Sequence, residues 1–189
     1  MKRSGTGLFC ALFLLVGALP AGAAPTDLPA LFGPRVATAK GFPAAVAVGD
    51  FDGDGVPDQA YLVTVKPGAA TQKLAPDVTV VSKVFGGEPL GAHGATLALA
   101  IVQGNGKRKT LLTGYYGAGT TDFFASPMWT EGEVPLRLAK RGSKVFADFQ
   151  RQKKAIRNDV MVVGTEAGID TALYWTGKGY ALFSPDEEP

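Results

Sequence analysis

The sequence predicts an all-β domain of antiparallel sheets with short strands, sandwich-like or partial propeller-like, carrying one strand-flanked metal loop. Three observations predict it. Runs rich in β-branched and aromatic residues recur at short spacing between glycine turns. Sustained helical periodicity with caps is missing from the chain. One acidic loop, residues 50–58, falls between two of the apolar runs.

The first 23 residues read as a secretory leader. Lys2 and Arg3 precede an apolar stretch from Leu8 to Leu19, and Ala21-Gly22-Ala23 offers small residues for cleavage. The expected mature chain, residues 24–189, is then one β-rich domain, periplasmic or secreted, with no later run long enough to span a membrane. Removing Lys2 and Arg3 lowers Lys+Arg from 19 to 17, equal to the 17 Asp+Glu, so the mature chain is formally neutral. Such a balance argues against nucleic acid as a partner. Cys10, the only cysteine, lies in the leader, which excludes disulfides and thiolate metal sites from the mature domain.

In chain order, Leu28 to Phe32 suggests one helical turn, and the apolar run Ala44 to Val48 leads directly into Asp50. Ala60 to Val65 resumes as a strand and ends at Pro67-Gly68. Asp77 to Phe85 alternates as a strand up to Gly86-Gly87. Ala95 to Val102 and Lys109 to Tyr116 flank Gln103-Gly104-Asn105-Gly106, a hairpin signal. Further strands are expected at Val145 to Phe149, Val160 to Val163 and Ala172 to Trp175, and Ala181 to Phe183 closes a last hairpin after Trp175. The best helix candidate is Phe149 to Arg157, where Gln, Lys and Ala favour helix.

Asp50-Phe51-Asp52-Gly53-Asp54-Gly55-Val56-Pro57-Asp58 places four carboxylates within nine residues. Without a counter-charge they would repel one another, whereas a hard cation such as Ca²⁺ takes six to eight oxygen ligands. Counted from Asp50, the first half matches the helix-flanked calcium loop, with Gly55 at the sixth position. Tyr61 then stands where that loop needs a bidentate glutamate, and the flanks alternate as strands.

Val46 through Ala60 instead resembles the strand-flanked calcium loop of FG-GAP repeats, also called VCBS-type repeats, with the pattern Asp-x-Asp-x-Asp-Gly-x-x-Asp. The resemblance implies side-chain ligation by Asp50, Asp52, Asp54 and Asp58 and a carbonyl ligand from Val56. The run Ala172 to Tyr180 is similar to the closing hairpin of small exported bacterial proteins with one such loop. FG-GAP propellers contain several repeats, and this chain carries one.

Other constellations are weaker. His93, the single histidine, sits in Gly91-Ala92-His93-Gly94, and no serine has the context of a nucleophile elbow. Glu131 and Glu133 lack a partner for glycosidase geometry. Trp129, Tyr115, Tyr116, Trp175 and Tyr180 would suit sugar stacking if exposed, but strand aromatics belong more often to cores. Lys107 to Lys109, and Arg151, Lys153, Lys154 and Arg157, could meet an anionic surface, although solvated segments are the simpler reading in a neutral chain. The functional expectation is a monomeric exported β-domain with structural Ca²⁺ and no catalytic residues, binding a protein or glycan in the cell envelope. The alternative is a metal-dependent envelope hydrolase acting on a glycan or phosphorylated substrate.

Overall fold

The computed structural model describes residues 27–42, 44–66, 74–83, 96–115, 136–164 and 170–185. Among these residues ten strands form two sheets with two short helices. The first sheet contains β1 (Val36–Thr38), β2 (Ala47–Gly49), β3 (Asp58–Val65), β4 (Val78–Lys83), β5 (Thr96–Gln103) and β6 (Arg108–Tyr115). Its order is β1-β3-β5-β6-β4, with β2 also on β3. The second sheet contains β7 (Leu136–Ala139), β8 (Val160–Gly164), β9 (Asp170–Trp175) and β10 (Tyr180–Phe183), in the antiparallel order β10-β9-β8-β7. Among the described residues there is neither a closed barrel nor a propeller.

Where a helix packs on its outer face a sheet is covered on both sides, which explains strands such as Val160 to Val163 that are buried at every position. Along β3, Ala60 and Leu62 point between the sheets, meeting Met161, Val163, Leu173 and Tyr180 of the second sheet. The alternate residues Tyr61, Val63 and Val65 turn outward onto Leu28 and Phe32 of α1 (Leu28–Phe32). Along β8, Val160 and Val162 turn the other way, onto Phe146 and Phe149 of α2 (Lys144–Gln152). The layers therefore run helix, sheet, sheet, helix. Burying each α2 phenylalanine contributes about 1.5–3 kcal/mol, which holds a helix too short to persist alone.

The strand expected at Val145 to Phe149 is helical, and the helix expected at Phe149 to Arg157 lies earlier in the chain. The cause is local. Ser143 caps the first turn, its Oγ accepting from Phe146 N at 3.2 Å. Phe146 and Phe149, three residues apart, then share the buried side. The sheets are also not purely antiparallel: β4 runs parallel to β6, Val78 opposite Lys109 and Val81 opposite Leu112. The remaining strand expectations fall on observed strands. The Gln103–Gly106 turn is a single 3-10 turn joining β5 to β6, and Trp175 to Tyr180 closes the β9–β10 hairpin. Val84 to Ala95 and Tyr116 to Pro135 lie outside the described residues, with His93, Trp129, Glu131 and Glu133 among them, as does the leader.

Candidate metal centre

The loop is delivered by β2 and taken up by β3, whose ends pair Gly49 with Asp58. Gly49 has no space for a side chain: a Cβ there would stand 2.9 Å from both Asp159 Oδ2 and Leu138 Cδ1. The close approach of the second sheet thus begins one residue before the first aspartate. Phe51 is 1% exposed and anchors the loop in the core between the sheets. Gly53 and Gly55 both take φ +82°, a left-handed conformation that glycine adopts without strain.

Asp50, Asp52 and Asp58 each direct a carboxylate oxygen into one group, within 4.8 Å of one another. Backbone N–H groups set their orientation. Asp50 accepts from Gly53 N at 2.8 Å and Gly55 N at 3.1 Å. Asp52 accepts from Asp54 N at 3.2 Å through one oxygen, and Arg108 Nη1 donates to the other at 2.8 Å. Asp58 is fully buried and accepts from Phe51 N at 2.8 Å, Asp52 N at 3.3 Å and Gly104 N at 3.0 Å. Burial pushes the Asp58 carboxyl up to about 6, and the neighbouring Asp52 charge adds to the rise, while the three backbone donors oppose it.

Of the five residues the sequence singles out, the structure brings these three together. Asp54 is exposed and accepts from Val56 N at 2.8 Å, tightening the loop between its two glycines. Val56 is half-buried. The donors that converge are carboxylate oxygens, an acidic group that could hold a metal ion.

Residues distant in sequence complete the setting. Asp159, just before β8, accepts from Asp50 N at 3.1 Å and from Arg141 N at 2.7 Å, and its own N–H donates to the Asp50 carbonyl at 3.2 Å. A Cβ on Gly53 would lie 2.5 Å from Asn158 Oδ1, so the loop rests directly on this corner of the second sheet. Arg108 also stacks over Trp175 at 5.6 Å, and Trp175 meets Tyr180 edge-on at 5.2 Å. The Tyr180 hydroxyl is pushed upward by burial and by the charges of Asp58 and Asp52, with Arg108 opposing. Tyr180 is buried and offers no ring face to a sugar, and Trp175 is half-buried.

Sequence reasoning did not find Asp159, Arg108 or Gln103 as parts of this setting. A polar pair, Asn158-Asp159, standing immediately before an apolar strand was the available signal for the first. Gln103 is fully buried beside Gly104, with neither carboxamide atom hydrogen-bonded among the described residues. Among the described residues, no helix is long and apolar enough to cross a membrane. Comparison of the chain with protein-family models, curated proteins and solved structures returned no match in any of the three.

Proposed function

We propose that residues 50–58 form a structural Ca²⁺ site of the FG-GAP type in an exported β-domain that works as a binding module in the cell envelope. The observation that carries this reading is the convergence of Asp50, Asp52 and Asp58, one of them fully buried, within 4.8 Å. Three carboxylates at that separation repel one another, and a divalent cation turns the repulsion into attraction. Asp54 and the Val56 carbonyl would join the set from the outer rim. Lacking the twelfth-position glutamate, the loop should bind weakly, with Kd about 10⁻⁵–10⁻³ M, the range of extracellular modules.

The cation's role is to hold the β2–β3 connection closed, so that binding energy becomes folding energy. The donors form a self-contained loop fixed by backbone N–H groups, an arrangement suited to holding an ion. The test is thermal unfolding in excess Ca²⁺ and in chelator, for the native chain and for Asp50→Asn/Asp52→Asn. A midpoint raised by calcium in the native chain alone supports the site. Equal midpoints for a folded, metal-free native chain with and without calcium would refute it.

A further inference from the structure

Seven cations and two carboxylates occupy residues 140–159, a local charge of +5 in a chain whose formal net charge is only +2. These residues carry α2, the outermost layer over the second sheet. Lys144 and Arg151 stand seven residues apart on the helix stripe opposite buried Phe146 and Phe149. Lys140 and Arg141 lead into the helix, and Lys154 and Arg157 follow it, all four exposed.

The carboxylates in the segment do little to neutralise this face. Asp148 pairs with Arg151 at 2.8 Å. Asp159 turns both oxygens onto backbone N–H groups of Asp50 and Arg141. Lys140, Arg141, Lys144, Lys154 and Arg157 are not paired with a carboxylate among the described residues.

We infer that this basic α2 face docks on an anionic phospholipid surface. The cations are spread along the helix and both its flanks, an arrangement that suits an extended array of headgroup phosphates better than one small anion. Because Phe146 and Phe149 are committed to the core and α2 exposes just one large apolar side chain, Val145, the contact is chiefly electrostatic. The segment exposes no aromatic ring on which a nucleobase could stack, which favours lipid over nucleic acid. The inference does not rest on the metal site, and it supplies the binding module with a partner.

The experiment measures partitioning of the full chain onto phosphatidylcholine vesicles with and without about one-third phosphatidylglycerol, at one fixed calcium concentration. The neutral vesicles absorb the apolar contribution of the N-terminal segment, and the two charge-matched variants, which both keep Lys2 and Arg3, absorb its electrostatic one. Preference for the anionic vesicles is expected to be roughly tenfold or more and to vanish at high salt. Lys144→Gln/Lys154→Gln/Arg157→Gln should remove most of it, while Lys40→Gln/Lys66→Gln/Lys178→Gln, with the same charge change elsewhere, should leave most of it. All three substituted residues of the first variant are exposed, and circular dichroism verifies that both variants fold. No anionic preference, an equal loss in both variants, or tighter binding to a DNA or RNA oligonucleotide than to the vesicles would overturn the inference.

Discussion

Gly53 and Gly55 share φ +82° but not their surroundings, and the pair separates backbone strain from packing. A Cβ on Gly55 would meet nothing within 4 Å, whereas one on Gly53 would stand 2.5, 2.8 and 2.9 Å from Oδ1, Cγ and Nδ2 of Asn158. Gly55→Ala should therefore lose only what a left-handed alanine costs, about 1–2 kcal/mol. Gly53→Ala should lose that and also displace the whole Asn158 carboxamide, which adds about 1–3 kcal/mol. Urea unfolding in chelator, followed by far-ultraviolet circular dichroism, reads both values without a contribution from metal. In an Asn158→Ala background the excess at Gly53 should disappear while the Gly55 value stays unchanged, which makes the comparison a double-mutant cycle. If Gly53→Ala is no worse than Gly55→Ala, or its excess survives removal of the Asn158 side chain, the loop does not pack against the Asn158 carboxamide.

Three further outcomes are expected. Asp159→Ala should destabilise the protein by about 1–3 kcal/mol and weaken Ca²⁺ binding roughly tenfold in calorimetric titration, since it leaves the part-buried Asp50 N without its acceptor and removes no ligand. An unchanged affinity would show that the Asp159 contact has no part in setting the loop. Because burial raises Asp58 from 3.8 to about 6, the folded chain holds this proton more tightly than the unfolded chain does. The stability it contributes is complete below about pH 4 and is lost as pH rises through about 6, roughly 3 kcal/mol in metal-free protein. Unfolding in chelator should show that decline in the native chain and not in Asp58→Asn, and parallel pH profiles would count against it. Gln103→Leu should be neutral or stabilising by up to about 2 kcal/mol, because it removes two buried polar atoms that have no partner among the described residues. Clear destabilisation in the same assay would show that the carboxamide is satisfied.

The sequence made the loop legible because its information is local. Four aspartates and two glycines within nine residues dictate a turn, and the apolar runs on either side dictate strands. Even so, Asp54 is exposed while Asp58 is buried, a distinction that depends on where Gly104 lies in space. Local signals also account for most strands and for the hairpin at Gly104 to Gly106. They failed at residues 145–149, where β-compatible Val145, Phe146 and Phe149 were read without the Ser143 cap that starts the helix. The parallel pairing of β4 with β6 left no trace, because β4 alternates as well beside one neighbour as beside another. Arg108 and Asp159 act across 56 and 109 residues, and nothing at their own positions announces that reach.

The bond from Asp50 N to Asp159 also has a consequence for the order in which the protein is made. Asp50, Asp52 and Asp58 emerge early during synthesis, but the residues on which their loop rests belong to the second sheet and emerge about a hundred positions later. A nascent chain ending near Tyr115 would contain every proposed ligand and still lack the floor beneath them. Tight cation capture would then be a late event, a seal applied once the two sheets have met. A truncated or half-folded copy would remain metal-poor even where calcium is abundant.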